Sequence, residues 1–304
     1  MTETIGFIGL GIMGRPMALN LINAGYRLAV HARREASMQP LLEAGAEPCS
    51  SPAEVARRSA ILFTMVSDTP DVEQVILGEQ GVIEGVQAGA VVVDMSTISP
   101  SATRAMAERL RTVGAEMLDA PVSGGDIGAA AGRLSIMVGG PEVAFERVRP
   151  LFEVMGQNIV HVGDHGAGQV CKACNQVLVA QTIAGVGEAM LLAKASGVDP
   201  AKVREALLGG FANSRVLEVH GRRMLEDDYA PGFKAALHQK DMRIVLEAAH
   251  ELNLALPGAA QAAQWLNALV GQGLGDLDSA AIYKIQAQFS LETAVDRSTT
   301  DTNP

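Results

Sequence analysis

The strongest constraint on the fold is an alternation of two hydrophobic patterns between residues 4 and about 162. Short apolar, β-rich runs alternate with stretches that mostly have the apolar spacing of an amphipathic helix. The β-rich runs are TIGFI, RLAVHA, AILFTMV, AVVVDM, AEMLDA, SIMVGG and NIVHVG. Such alternation is typical of a parallel sheet with helices on both faces. The sequence therefore predicts a doubly wound α/β domain with a mainly parallel sheet over residues 1–163.

The β pattern ends at Gly163, and the rest of the chain has a different character. One long, largely apolar helix is predicted from Gln169 to Ser196, followed by four or five helical segments that end near Ser290. A chain of 304 residues is long enough for two domains of roughly 150 residues each. We expect an all-helical domain over residues 164–290 and a flexible polar tail over residues 291–304.

Composition narrows the partners and the location of the protein. With 34 acidic and 24 basic residues, the net charge of −10 argues against a surface that binds nucleic acid or anionic lipid. The apolar run from Val177 to Val198 contains Glu188 and Lys194, which indicates a buried helix rather than a membrane span. Three cysteines, together with an N-terminus unlike a secretory signal, indicate a cytoplasmic protein.

A glycine motif follows the first β-rich run. Gly9, Gly11 and Gly14 have G-x-G-x-x-G spacing between a strand and an amphipathic helix, with a second strand directly after. Gly9 permits a tight turn, Gly11 lets backbone amides approach a pyrophosphate, and Gly14 allows close packing of helix on strand. The context favours a dinucleotide site over a tight turn without ligand. The remaining residues of this predicted loop are Leu10, Ile12 and Met13.

The end of the second β-rich run bears on which dinucleotide binds. An acidic residue there would contact the ribose hydroxyls of NAD, but this chain has Ala32 followed by Arg33 and Arg34. Two guanidinium groups without a carboxylate suit a 2′-phosphate, so we expect NADP in preference to NAD. The alternative is that both arginines are solvated loop residues.

Two further segments carry groups suited to catalysis. In DAPVSGG, the Ser123 hydroxyl and the amides of Gly124 and Gly125 have the makings of an anion-binding nest for a carboxylate, although a simple turn explains them equally well. In GAGQVCKACNQ, Lys172 and Asn175 are three residues apart and share a helix face. A lysine on an apolar helix is costly to bury without purpose and suits proton transfer, the alternative being an interface lysine that snorkels.

Metal chemistry is not expected. Cys171 and Cys174 form a C-x-x-C without a second pair, so we interpret them as helix-packing residues. Lys240 stands in HQKDM at the predicted start of a helix beside Asp241, where the helix dipole opposes a cation. This placement indicates a ligand or an ion pair for Lys240.

Five segments in this order and spacing resemble the β-hydroxyacid dehydrogenase family, from about residue 4 to residue 290. They are GFIGLGIMGRPMALNL, DMSTISP, DAPVSGG, GAGQVCKACNQ and HQKDM. The resemblance implies a Rossmann domain joined by a long helix to an all-helical domain for substrate binding and oligomerisation. It implies an NAD(P)-dependent oxidoreductase acting on a CH–OH group, with Lys172 as general acid and base. The implied substrate-binding residues are Ser123, Gly124, Gly125, Asn175 and Lys240.

The same resemblance assigns further cofactor contacts. Thr97 in DMST would approach the nicotinamide ribose, Met65 and Val66 would line the adenosine side, and Lys240 would also contact the cofactor. This chain departs from the family where other members carry an acid at the end of the second strand and it has Ala32. An inherited preference for NAD is therefore not expected.

Within the family, three segments, GEQGVIEG, GGFANSRVLE and PGFKAALHQKD, resemble those of members that reduce tartronate semialdehyde (2-hydroxy-3-oxopropanoate). This resemblance implies tartronate semialdehyde as the substrate and glycerate as the product. Oxidation of 3-hydroxyisobutyrate and reduction of succinic or glyoxylic semialdehyde are alternatives within the family. An alternative of another class is an NADP-sensing module without turnover. The resemblance also implies a homodimer or homotetramer.

Overall fold

The computed structural model describes residues 3–292. The chain divides into two compact units, one up to Lys172 and one from Ala173 onward, which are described separately below. The last strand ends at Gly163, and the domain boundary placed there from sequence stays a prediction. Of the predicted flexible tail, residues 293–304 lie outside the described part of the chain.

The first unit contains a nine-stranded sheet. Its strands are β1 (Thr4–Ile8), β2 (Arg27–His31), β3 (Glu47–Pro48), β4 (Ile61–Thr64), β5 (Val91–Asp94), β6 (Glu116–Asp119), β7 (Val122–Ser123), β8 (Leu134–Gly139) and β9 (Gly156–Gly163). The order is β3-β2-β1-β4-β5-β6-β8-β7, with β9 also paired to β8. Pairing is parallel from β3 to β6 and between β8 and β9, and antiparallel where β8 meets β6 and β7. The predicted doubly wound, mainly parallel sheet is confirmed.

Seven α-helices connect these strands. They are α1 (Gly14–Asn23), α2 (Gln39–Glu43), α3 (Pro52–Arg58), α4 (Thr69–Leu77), α5 (Pro100–Arg111), α6 (Gly125–Ala130) and α7 (Glu142–Met155). The Ser51 hydroxyl accepts the amide of Glu54 before α3, and the Ser99 hydroxyl accepts the amide of Ala102 before α5. Each cap is followed by a proline in the first turn, so both helices begin where the sequence predicts.

The central strands β1, β4 and β5 are buried on both faces of the sheet, since successive residues point to opposite sides and nearly all of them are buried. Phe7 and Phe63 lie in one apolar cluster, with ring centroids 5.8 Å apart, together with residues of α1 and α7. Ile8 and Leu62 lie in a second cluster with residues of α3, α4 and α5. Burial on both sides accounts for the unbroken apolar runs in these strands. The candidate site lies at the carboxyl ends of the same strands.

The second unit has only helices as regular elements in its described residues. Helix α8 (Ala167–Ala195) continues into it from the first unit and is followed by α9 (Pro200–Leu208), α10 (Arg215–Glu226), α11 (Ala235–Glu251), α12 (Pro257–Gly271) and α13 (Ile282–Ala287). Met190, Met242, Leu266 and Ile282 are fully buried in one cluster shared by these helices. The predicted helical second domain is confirmed.

Helix α8 is buried on one side only. Within the described residues it is the one helix that is long and apolar enough to cross a membrane, and half of its most apolar stretch is buried. Core helices of water-soluble proteins meet the same test, so the finding is weak evidence for a span. Leu178 and Leu192 are 68% and 70% exposed. The expected burial of α8 therefore holds for part of its surface.

Candidate active site

The glycine-rich loop lies between β1 and α1 at the carboxyl edge of the sheet. Gly9 has a φ of 93°, and a Cβ on it would meet the backbone oxygen of Met65. A Cβ on Gly14 would meet the backbone oxygen of Gly9, so helix and loop approach too closely for any other residue. The protein's own packing therefore requires glycine at both positions, as the motif predicts.

Gly11 differs from these two glycines in what surrounds it. A Cβ on Gly11 would meet nothing within 4 Å, and its φ is outside the left-handed region. No contact within the described residues explains why glycine stands here. A ligand backbone or phosphate that passes close to the loop explains it, so this position fits the dinucleotide expected from sequence.

The amino end of α1 also fits an anionic group. Met13 precedes the helix without a side-chain cap, and the first turn contains no acidic residue. The first amides of a helix need acceptors from outside it, and the helix dipole favours a negative charge there. Ile12 is exposed, whereas the side chain of Leu10 is buried in the core. Contacts from Leu10 to a cofactor are consequently limited to its backbone.

Arg33 and Arg34 follow β2 on the surface, and both are exposed. The guanidinium of Arg33 lies 3.4 Å from a carboxylate oxygen of Asp71, with the Arg33 side chain 83% exposed. A pair this exposed contributes at most about 1 kcal/mol, so the guanidinium can exchange it for a phosphate. Ala32 leaves this strand end without a carboxylate.

Met65 and Val66 follow β4 directly and lie against Gly9, where a Cβ would come within 2.9 Å of a Val66 methyl group. The amide of Val66 donates to the Ser96 hydroxyl over 2.9 Å, which ties the loop after β4 to the loop after β5. Thr97 is next along the chain and is half-buried. These predicted cofactor-side residues thus follow two neighbouring parallel strands at the edge that holds the glycine loop.

A row of polar residues ends three adjacent strands. Thr64, Asp94 and Asp119 are register partners across β4, β5 and β6, and all three are fully buried. One carboxylate oxygen of Asp94 accepts the hydroxyls of Thr64 and Ser96, each over 2.7 Å. Its other oxygen has no hydrogen-bond partner among the described residues.

Burial governs the protonation of both carboxyl groups in this row. Desolvation raises the pKa of Asp94 to about 6, against the hydrogen bonds from Ser96 and Thr64, which lower it. Desolvation also raises the pKa of Asp119, while the amides of Gly166 and Gln169 act in the opposite direction. Asp119 thus receives two backbone donors, whereas Asp94 receives mainly hydroxyl groups.

Asp119 fastens the start of α8 to the sheet. Its two carboxylate oxygens accept the amides of Gly166 over 2.7 Å and Gln169 over 2.9 Å. The Gln169 side chain in turn accepts the amide of Ile98 over 3.1 Å and donates to the backbone oxygen of Ser96 over 2.8 Å. A carboxylate at a helix amino end is also favoured by the helix dipole. The first turn of α8 is therefore held by buried hydrogen bonds on both sides.

Glycines make this close approach possible. A Cβ on Gly168 would come within 2.7 Å of the backbone oxygen of Asp119, and one on Gly139 would come within 2.7 Å of the Gly168 amide nitrogen. The backbone of α8 thus rests directly on the ends of β6 and β8. In the motif GAGQVCK, the second glycine and the glutamine therefore position the turn that leads to Lys172.

Lys172 lies three residues after Gln169 on the same helix, and only 7% of its surface is exposed. Positions three apart lie on one side of a helix, so Lys172 follows directly from the anchored turn. Its burial favours the predicted role in proton transfer over a solvated interface lysine, because burying an ammonium without function is costly.

Ser123 ends β7 and is half-buried, and Gly124 and Gly125 follow with φ values of 140° and 64°. Only glycine adopts both values readily. The backbone therefore turns out of β7 and enters α6 here instead of continuing the strand. Whether this turn holds a carboxylate, as predicted, stays a prediction.

In the second unit, Asn175 and Lys240 are joined through two buried residues. The amide nitrogen of Asn175 donates to Gln176, that of Gln176 donates to Asp241, and Asp241 pairs with the Lys240 ammonium, each over 2.7 Å. Gln176 and Asp241 are each 3% exposed. The ion pair predicted as one explanation for Lys240 is present.

Two details of the sequence interpretation are wrong. Helix α11 begins at Ala235, so Lys240 lies in its second turn rather than at its start. The opposing dipole is weaker there, and the ion pair with Asp241 stabilises the cation. Cys174 is exposed and therefore does not pack against other residues as expected. Helical spacing indicates that Cys171 and Cys174 lie near the same face of α8. It does not indicate whether neighbouring helices cover that face.

Comparison with known proteins identifies the family. Residues 4–163 match the family described as the NAD binding domain of 6-phosphogluconate dehydrogenase. Residues 166–286 match the family described as NAD-binding of NADP-dependent 3-hydroxyisobutyrate dehydrogenase. A 2-hydroxy-3-oxopropionate reductase of Escherichia coli is 50% identical over 91% of this chain and 95% of its own length. The chain belongs to the β-hydroxyacid dehydrogenase family.

Two further β-hydroxyacid dehydrogenase relatives show the breadth of this similarity. An NAD-dependent L-serine dehydrogenase of Pseudomonas aeruginosa is 38% identical over 93% of this chain and 97% of its own length. The solved structure of a 3-hydroxyisobutyrate dehydrogenase of Mycobacterium tuberculosis with L-serine matches with a TM-score of 0.87 and 30% identity, over 94% of this chain and 99% of that one. The chain is thus an NAD(P)-dependent oxidoreductase that acts on a CH–OH group of a small hydroxyacid, as its family resemblance implied.

Sequence reasoning missed the residues that position the functional groups. Asp94, Asp119 and Gln169 stand in the quoted motifs, and Gln176 directly follows Asn175, yet none was assigned a role. A polar residue that closes a buried strand, as Asp94 and Asp119 do, is a usable signal, because the carboxyl ends of parallel strands form the ligand edge.

Proposed function

We propose that this β-hydroxyacid dehydrogenase reduces tartronate semialdehyde to glycerate, with NADPH as its preferred cofactor. The buried Lys172, held by the anchored first turn of α8, is the observation that carries the reaction type. The substrate follows from the name of the E. coli relative, with which this chain shares 50% identity. Oxidation of glycerate is the same reaction in reverse.

The cofactor is assigned to the edge built by the glycine loop. The amides around Gly11 and the amino end of α1 would hold the pyrophosphate, with Thr97 near the nicotinamide ribose and Met65 and Val66 beside the adenosine. When bound, the nicotinamide supplies the hydride that reduces the aldehyde carbon. The loop's own part is to fix the dinucleotide, since its open space at Gly11 leaves room for phosphate oxygens.

Lys172 would move the proton that the reduction requires. As the carbonyl carbon is reduced, negative charge develops on its oxygen, and the Lys172 Nζ donates a proton there. In the reverse direction the neutral amine accepts the proton of the hydroxyl group. A positioned proton donor typically raises the rate by about 10²- to 10⁴-fold, so the hydrogen bonds that anchor the first turn of α8 contribute to kcat by positioning Lys172.

The remaining roles concern how the substrate is held. The Ser123 hydroxyl and the amides of Gly124 and Gly125 would bind the substrate carboxylate, because a hydroxyl followed by two glycines with positive φ suits an anion-binding nest. Asn175 would bind a substrate hydroxyl, and Lys240 would add a positive charge for an anionic group. These assignments make a small, carboxylate-bearing semialdehyde the fitting substrate class.

The preference for NADPH rests on the end of β2. Ala32 offers no carboxylate to the ribose hydroxyls, and Arg33 and Arg34 are exposed guanidinium groups that suit a 2′-phosphate. The exposed ion pair of Arg33 with Asp71 is weak enough to be exchanged.

A panel of substrates with both cofactors tests the proposal. Tartronate semialdehyde, succinic and glyoxylic semialdehydes and 3-hydroxyisobutyrate are assayed with NADPH or NADP⁺ and with NADH or NAD⁺. We expect the highest kcat/KM for tartronate semialdehyde with NADPH. A higher value for another substrate would reassign the substrate, equal or better efficiency with NADH would refute the cofactor preference, and cofactor binding without turnover would indicate the sensing module.

A further inference from the structure

The second unit contains a polar relay that the proposed chemistry does not itself require. The relay comprises Asn175, Gln176, Asp241 and Lys240, and three contacts of 2.7 Å link them in that order. Gln176 and Asp241 are each 3% exposed, whereas Asn175 is half-buried. The two ends are the side chains assigned to ligand binding in this unit, and the two middle residues are sealed from solvent.

The relay has one direction, and Asp241 sets it. A carboxylate paired with an ammonium accepts hydrogen bonds and donates none, so Gln176 must turn its amide nitrogen toward Asp241. The carbonyl oxygen of Gln176 then faces Asn175, which must present its own amide nitrogen in return. A flip of either amide would oppose two acceptors or two donors in a buried place, at the cost of unsatisfied polar groups.

This direction leaves Asn175 with a defined group to offer. One N–H of its amide is used by Gln176, and its Oδ1 is directed away from that contact. An oxygen acceptor pairs with a donor, and the ionised proposed substrate has just one, the hydroxyl on its second carbon. The aldehyde oxygen and the carboxylate carry no proton to donate.

We propose that the relay orients Asn175 so that its Oδ1 accepts a hydrogen bond from the substrate hydroxyl. Gln176 and Asp241 are then positioning residues that make the enzyme selective for semialdehydes with a hydroxyl beside the aldehyde. This inference rests on the proposed function, because it takes the substrate class from it. It adds the residues that distinguish a hydroxylated semialdehyde from its deoxy analogue.

Malonate semialdehyde, which lacks the hydroxyl, is the matched probe. For the wild type we expect kcat/KM to favour tartronate semialdehyde by about tenfold or more, the worth of one well-placed hydrogen bond. Gln176→Met keeps the volume of the side chain but neither accepts from Asn175 nor donates to Asp241. In this variant the ratio of kcat/KM for tartronate semialdehyde to that for malonate semialdehyde should fall to about threefold or less, with kcat/KM for malonate semialdehyde nearly unchanged.

Two more variants separate selectivity from general damage. Asp241→Asn is isosteric and can donate as well as accept, so it removes the direction of the relay and should also lower the preference. Gln286→Met is the control, because Gln286 is likewise buried in this unit and donates one hydrogen bond to the Ala184 oxygen over 3.0 Å, outside the relay. The control should lose stability without a change in the preference.

The outcomes are distinct. An unchanged preference in both Gln176→Met and Asp241→Asn would overturn the inference, and so would a wild type without preference. An equal loss with both semialdehydes would also overturn it, since Asn175 would then act on Lys172 instead of the hydroxyl. A wild type inactive with tartronate semialdehyde but active with a substrate that has no hydroxyl donor would refute the proposed function, and with it this reading of Asn175.

Discussion

Replacing Gly11 by alanine should weaken cofactor binding without weakening the fold. The added methyl group meets no protein atom within 4 Å, and the backbone there is not left-handed. Such a Gly→Ala change typically raises the free energy of unfolding by about 0.4–1 kcal/mol, because it restricts the unfolded chain. In the proposed complex, the methyl group stands where a phosphate oxygen approaches the loop amides. Loss of one hydrogen bond to a charged group costs about 1.5–3 kcal/mol, which corresponds to roughly 10- to 100-fold in Kd.

Calorimetric titration with NADPH and urea unfolding of the free protein measure the two effects separately. Gly14→Ala is the matched control, because its methyl group would strike the backbone oxygen of Gly9. That variant should unfold at lower urea, with a loss of about 1–3 kcal/mol or more. Wild-type affinity of Gly11→Ala for NADPH, or a large loss of stability in that variant, would refute the assignment of the phosphate to this loop.

Three other substitutions test the buried carboxylates and the anion nest, and a fourth serves as a control. The pKa of Asp94 in the folded protein is raised to about 6, so its contribution to stability is greatest at low pH, and roughly 3 kcal/mol is lost as pH rises from about 4 through 6. Measured by urea unfolding, the free energy of unfolding of Asp94→Asn should therefore rise relative to that of the wild type over this pH range. A difference between the two proteins that stays constant with pH would refute this expectation. Asp119→Asn should lower the free energy of unfolding by about 1–3 kcal/mol and also reduce kcat, because it loosens the turn before Lys172. The control Ser51→Ala, which removes the cap of another helix, should lower the free energy of unfolding by about 1 kcal/mol and leave kcat unchanged. Ser123→Ala should raise KM for the semialdehyde at least several-fold, about the worth of one hydrogen bond, and an unchanged KM would contradict the carboxylate nest.

The parts of the fold that sequence predicts well are those set by local pattern. The alternation of β-rich runs and helices gives the doubly wound sheet, because burial on both faces demands unbroken apolar strands. Ser51 and Ser99 mark helix starts, since a hydroxyl before a proline is a strong local cap signal. The need for glycine at positions 9 and 14 is also predictable, because it follows from the strand, turn and helix that contain Gly9 and Gly14.

The parts that sequence predicts poorly depend on contacts between distant residues. Asp119 and Gln169 are 50 positions apart in the chain, and their hydrogen bond exists only because α8 begins at the end of β6. The link from Gln176 to Asp241 spans 65 positions for the same kind of reason. The exposure of Cys174 depends on where neighbouring helices lie. Helical spacing indicates which residues share a face, but it does not say what covers that face.

Lys172 carries the proton in the proposed reaction, and the variant Lys172→Met examines this role without disturbing the rest of the site. Lys172→Met keeps the apolar length of the side chain and removes the amine, so packing of α8 should change little. Steady-state kinetics with tartronate semialdehyde and NADPH should show kcat lowered by about 10²- to 10⁴-fold, the range for loss of a positioned proton donor. Calorimetric titration should meanwhile show NADPH binding close to that of the wild type. If the variant keeps more than about a tenth of the wild-type kcat, well above that range, Lys172 is not the general acid and the account of the site is wrong.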